Sequence, residues 1–226
     1  MSITENYTRI RNELPDRVTI VLAAKTRTRE ELLEAIEAGV TDFGENYVQE
    51  GEAIHTALGP DASRVRWHMI GSLQKNKINK ALGIFDVIQT VDSRQKAVDI
   101  DKRVEAAGRD IVPVCIEINI GSEFTKAGVE PDYEIIKNLA EEIASMEHLR
   151  LEGLMTMGPR TGDPEDSRPY FRKTRDIFER LNDARTPGIE MTTLSMGMSN
   201  SFRVAVEEGS TMVRLGTIVF GERDYG

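Results

Sequence analysis

Eight short apolar runs, each followed by a stretch of helical spacing, recur along the 226 residues and constrain the fold more than any other feature. The runs cover residues 18–24, 42–45, 65–71, 85–91, 111–120, 149–157, 191–196 and 212–220. The helical stretches carry start and stop signals. Thr28-Arg-Glu-Glu31 reads as a capping box, with Leu32, Leu33 and Ile36 on one face and Gly39 at the C-terminal end. Asp92 or Ser93 caps a stretch running to Ala107, which Gly108 ends. Pro131 suits a first helical turn ahead of Ile135, Ile136, Leu139 and Ile143. Strands alternating with helices demand parallel pairing and right-handed crossovers. Eight such units fill the chain, about 28 residues apiece when 226 is shared among them, and most simply close into a single-domain α/β (β/α)8 TIM barrel over 1–226. An open doubly wound sheet is the rival arrangement. Residues 3–14 read as an extra helix covering the bottom of the barrel.

Composition removes several functions. With 29 Lys+Arg against 38 Asp+Glu, a net charge of −9 argues against a nucleic-acid binder. The single cysteine, Cys115, allows no internal disulfide and fits a reducing compartment. No apolar run approaches the ~18–20 residues of a membrane span, and the start Met1-Ser-Ile-Thr-Glu-Asn has no signal-peptide character. A soluble, cytoplasmic, monomeric protein is the expectation.

Chemistry in such a barrel gathers at the C-terminal ends of the strands. Those ends carry Lys25, Glu45–Asn46, His68, Thr90–Asp92, Asn119, Thr156, 195–199 and 214–217. Lys25 leaves the most apolar strand, so it either snorkels to solvent or is desolvated towards a neutral amine that captures an aldehyde as a Schiff base. Lys126 is a rival for that role. Leu194-Ser-Met-Gly-Met-Ser199 ends in a hydroxyl-rich turn, with a helix expected from about Asn200. Val213-Arg-Leu-Gly-Thr217 reads as a strand interrupted by Gly216. Loops after strands seven and eight are the usual phosphate site, where Gly216 and the helix start after Ser199 would meet an anion. Arg214 faces inward and pairs either with such a ligand or with a core carboxylate. His68, beside the only Trp, reads as a satisfied structural residue, and no spacing offers a metal set. Lys75, Lys77 and Lys80 form a basic patch that is either solvated or an anion contact.

The segments Ala23-Ala-Lys25-Thr, Phe43-Gly-Glu-Asn-Tyr-Val-Gln-Glu50, Trp67-His-Met-Ile-Gly-Ser-Leu-Gln-Lys-Asn-Lys77, Gly153-Leu-Met155, Leu194-Ser-Met-Gly-Met-Ser199 and Gly209-Ser-Thr-Met-Val-Arg-Leu-Gly-Thr-Ile-Val-Phe-Gly221 occur in order across nearly the whole chain. Together they strongly resemble the pyridoxal phosphate homeostasis protein family, also called the proline synthetase co-transcribed family. The resemblance implies a barrel similar to the N-terminal domain of alanine racemase that binds pyridoxal 5′-phosphate (PLP). It implies Lys25 as the Schiff-base lysine and Asn46 on the cofactor face. It further implies Ser199, Gly216 and Thr217 around the phosphate, and Arg214 at the pyridine nitrogen. The chain departs from the family at Ala24, where a serine is usual, and at Asn200-Ser201, where an acidic residue is usual.

The implied function is capture and release of PLP in vitamin B6 homeostasis, with apo-PLP enzymes as recipients and no established catalytic residue. A racemase is the alternative, and a class I aldolase-type lyase using Lys25 is a third. A guanidinium at the ring nitrogen weakens PLP as an electron sink. The sequence, ending at Gly226, is expected to lack the separate domain that supplies a racemase with its second base, for which His68 and Tyr47 are the candidates within the chain.

Overall fold

The computed structural model describes residues 2–121, 127–158 and 162–222. Among them, eight parallel strands pair in chain order into a closed barrel. They are β1 (Thr19–Ala23), β2 (Asp42–Glu45), β3 (Arg66–Met69), β4 (Val87–Val91), β5 (Val112–Ile118), β6 (Leu149–Thr156), β7 (Ile189–Ser195) and β8 (Met212–Leu215). Closure comes from β8 returning to β1, with Thr19 opposite Met212 and Leu22 opposite Leu215. Even the short, polar-ended β2 is buried along its whole length. The (β/α)8 reading therefore holds, and the open sheet does not.

The helices are α1 (Ile3–Glu13), α2 (Arg29–Glu37), α3 (Val48–Leu58), α4 (Ile78–Leu82), α5 (Arg94–Val104), α6 (Tyr133–Ala144), α7 (Arg168–Asp183), α8 (Phe202–Glu207) and α9 (Thr217–Phe220). Before α2 the capping box forms as read: Glu31 N–H donates to Thr28 Oγ1 at 3.2 Å and Thr28 N–H to Glu31 Oε2 at 2.7 Å. Ser93 caps α5, and Gly108 ends the following turn at φ +70°. Before α6 the cap is Asp132, so Pro131 precedes the cap and is not in the first turn. The buried face of α6 is Ile136, Leu139, Ala140 and Ile143, while Ile135 faces solvent.

One further expectation is corrected. The run 212–220 is not one strand. It stops at Leu215, Gly216 breaks it, and 217–220 turns into α9 with Val219 and Phe220 buried. An apolar run this short carries no period that separates strand from helical turn. The N-terminal helix packs along α2 and α9, with Asn6 Nδ2 donating to Val219 O at 3.0 Å and the Tyr7 hydroxyl to Gly39 O at 3.3 Å. The helix thus packs on α2 and α9, while Arg11 Nη1 donates to Val18 O at 2.7 Å, just before β1.

Between β6 and β7 the register shifts at Gly153, which faces Thr193. A methyl group there would stand 1.7 Å from the Thr193 carbonyl oxygen, in backbone that cannot yield. Gly153→Ala is expected to destabilise the barrel by about 3 kcal/mol or to prevent folding, read from the chemical denaturation midpoint.

Candidate functional site

The strand ends and loops at the C-terminal face of the barrel enclose a cavity of about 660 Å3. Lys25, Asn46, Ser199, Arg214, Gly216 and Thr217 all line it. Ile70, Met157 and Met198 supply apolar wall that the sequence did not announce. Lys126, the rival lysine, lies outside the described residues.

Each side chain has a local reason for its place. Ala24 N–H donates to Gly44 O at 2.9 Å, so the β1–β2 ladder carries the backbone up to Lys25. Immediately beyond, Thr26 turns into the left-handed region at φ +63°, a costly conformation for a β-branched residue. Arg27 then ties this turn to the end of α9, donating to Gly221 O at 2.8 Å with its guanidinium 5.1 Å from the Phe220 ring centroid. Asn46 is held by Gly71, where an added Cβ would lie 2.1 Å from the Asn46 carbonyl oxygen. Gly216 N–H donates to Ser199 Oγ at 3.1 Å and so joins the β7 and β8 loops. That bond leaves Ser199 its own hydroxyl proton to donate. The helix expected from about Asn200 starts at Phe202, leaving Asn200 on the cavity wall.

Arg214 is buried, with Nη1 donating to Ser195 Oγ at 2.6 Å and Nη2 to Thr156 O at 2.7 Å. Burial lowers its pKa to about 10, against the pull of Glu117, so it is still charged at neutral pH. Behind it a buried chain descends through the barrel. Ser195 Oγ is 2.7 Å from Gln89 Oε1, Gln89 Nε2 is 2.9 Å from His68 Nδ1, and His68 Nε2 is 2.8 Å from Asp42 Oδ1. His68 is thus a satisfied structural residue in the barrel interior and does not reach the cavity. Gln89 escaped the sequence reading, although a glutamine inside the apolar run 85–91 is a signal that could have flagged the network, and Ser195 was read only as part of the strand end 195–199. The lysine patch is divided. Lys75 pairs with Asp99 at 2.9 Å and Lys80 with Glu52 at 2.8 Å, whereas Lys77 lines a second cavity.

Two buried carboxyl groups flank the site. Burial, and then Glu50, push Glu45 up to about 8, against the attraction of Lys25. Burial, and then Asp92, push Glu117 up to about 7.

A family model for the alanine racemase N-terminal domain matches residues 1–224. The pyridoxal phosphate homeostasis protein of Aquifex aeolicus is 43% identical over 204 residues, 90% of this chain and 86% of that protein. The protein of that name from Escherichia coli K12 is 35% identical over 217 residues, 93% of this chain and 88% of its own. PipY of Synechococcus elongatus, solved with PLP bound, superposes at a TM-score of 0.88 with 31% identity, over 97% of this chain and all of that one. An alanine racemase from Clostridium difficile shares the fold at a TM-score of 0.82 with 18% identity, this chain covering 57% of it.

The raised carboxyl groups set the sign of a pH dependence. Glu45 keeps in the native state a proton that the unfolded chain, near 4.5, gives up, so stability falls as pH rises from about 4.5 to about 8. Each such group contributes a slope of up to about 1.4 kcal/mol per pH unit in its window. Asp42 and Glu208, held below the usual range, act in the opposite sense and only at lower pH. Glu45→Gln is expected to flatten the decline of the denaturation midpoint between pH 5 and 8, most clearly above pH 7, where Glu117 is already largely ionised.

Proposed function

The chain belongs to the pyridoxal phosphate homeostasis protein family, and from that premise we propose that it captures PLP as a Schiff base on Lys25 and holds it for release, without robust turnover of its own. The observation that carries this is the meeting of Lys25, Asn46, Ser199, Arg214, Gly216 and Thr217 around one cavity. Bound PLP supplies an aldehyde carbon that condenses with a primary amine, and the donor set fits such a molecule.

Lys25 offers the amine at the end of β1. The Ser199 hydroxyl, oriented by the Gly216 amide, and the Thr217 hydroxyl offer donors to a phosphate, at about 1.5–3 kcal/mol for each charge-assisted bond. Asn46 bounds the cavity from the β2 side, and the apolar wall of Ile70 and Met157 suits a ring. Arg214, pinned by Ser195 and Thr156, stays charged and only donates, so a ring nitrogen facing it stays unprotonated. That arrangement binds the pyridine without making it a strong electron sink.

Racemisation needs a positioned base on each face of the reacting carbon. Lys25 serves one face. The two in-chain candidates for the other are out of place: His68 has both ring nitrogens engaged in the interior, and Tyr47 is 60% exposed on the neighbouring cavity. This favours the carrier over the racemase. No helix among the described residues is long and apolar enough to cross a membrane. Cys115 is buried, with its thiol pushed up to about 12 by burial, so it gives no handle for a disulfide. The protein would work as a cytoplasmic monomer that passes PLP to apo-enzymes.

Lys25→Ala is expected to abolish the near-visible absorption that appears when PLP is added, and borohydride reduction of the parent should label Lys25. A label mainly on Lys126 would overturn the assignment. In deuterated water a panel of L-amino acids should show no α-proton exchange at ordinary enzymatic rates of about 1–10³ per second. Exchange with inversion at those rates would restore the racemase.

A further inference from the structure

Beside the cavity that holds Lys25 lies a second one, of about 510 Å3, over the ends of β2, β3 and β5. The two share Asn46, Ile70 and Met157 as a common wall, so they adjoin. We propose that this second chamber binds small amino acids as zwitterions, with the ammonium against the Glu117 carboxylate and the carboxylate towards Lys77.

Glu117 is 3% exposed, lines the chamber, and its Oε2 has no hydrogen-bond partner among the described residues. A buried polar atom left unmade is costly, and more so when charged, so natural interiors seldom leave one without a reason. Here the reason is a missing donor. A primary ammonium carries three N–H donors and a full positive charge, which answer both the orphaned oxygen and the ionised carboxylate. Burial pushes the Glu117 carboxyl up to about 7, with Asp92 adding to the shift and Lys96 and Arg214 opposing it. Such a group ionises readily when a cation arrives.

The chamber also supplies the opposite charge. Lys77 lines the same chamber, and among the described residues no carboxylate lies within ion-pair distance of it, unlike Lys75 and Lys80 on either side. The same chamber is lined by the neutral polar side chains of Ser72 and Gln74. A buried carboxyl group, a half-buried lysine and neutral polar groups on one chamber complement a small molecule with an ammonium at one end and a carboxylate at the other. The consequence rests on the PLP reading above: an amino acid in this chamber brings a primary amine beside the cavity where Lys25 would hold an aldehyde.

The test is saturation-transfer NMR on the PLP-free full chain, with L-alanine, methylammonium and propionate as probes. Alanine should bind, methylammonium more weakly, and propionate least. Glu117→Gln should weaken alanine at least tenfold, and Lys77→Met should weaken alanine more than methylammonium. Absence of alanine binding to the parent, or Glu117→Gln binding alanine within twofold of the parent, overturns the proposal. Should that variant not fold, the probe series on the parent decides, and propionate binding as tightly as alanine overturns it. Failure of the PLP reading is seen separately, as absence of the near-visible band when PLP is added to the same preparation.

Discussion

A guanidinium cannot accept a hydrogen bond, and Arg214 sits buried at the head of the barrel interior, so every partner beneath it has its polarity dictated from above. Arg214 donates to Ser195 Oγ, which leaves the serine hydroxyl to donate to Gln89 Oε1. That fixes the amide of Gln89 with its nitrogen towards His68, whose Nδ1 must then accept. His68 consequently carries its proton on Nε2 and donates it to Asp42, which burial pushes up but the bonds from His68 and Thr41 hold below the usual range. Residues from β2, β3, β4, β7 and β8 thus form one directional chain. Its worth lies less in net stability than in orientation, because a buried charge with a single set of partners has a single position.

The same barrel that orders its interior with polar side chains orders its mouth with missing ones. At Gly71 the absent side chain lets the β3 loop close on the Asn46 backbone. At Gly216 the chain leaves β8 with ψ −90° and enters α9, which swings Thr217 to the cavity and gives the amide to Ser199. These loops are set by backbone contact, and Lys25 by the strand pairing on both sides of β1. The backbone beneath Lys25, Asn46 and Thr217 is therefore set mainly by main-chain contacts.

Much of this was legible in the sequence. The alternation of apolar runs with capped helices encodes a closed parallel barrel, because parallel pairing leaves no shorter connection. The cavity residues were legible too, since the barrel rule puts strand ends together and Lys25, Ser199 and Arg214 are strand-end residues. What stayed hidden shares one property. Gln89 bonds His68 across 21 residues and Ser195 across 106, and nothing local separates a glutamine facing the barrel interior from one in a turn. The packing of α1 on α2 and α9 and the end of β8 at Leu215 were equally invisible, because amphipathicity says that a face is buried and not against what. Glu117 lies inside the apolar run 111–120, and only closure of the barrel shows its Oε2 without a hydrogen-bond partner among the described residues.

The Schiff base proposed for Lys25 requires a neutral amine, and a carboxylate fixed nearby would favour the ammonium instead. Glu45 stands on β2, within electrostatic range of Lys25, and its burial resolves the conflict. A carboxyl group pushed up to about 8 is mostly protonated at neutral pH, so it sets no full negative charge beside the lysine. This effect comes from burial in the barrel and not from a solvent-exposed pair, so it is screened little by salt.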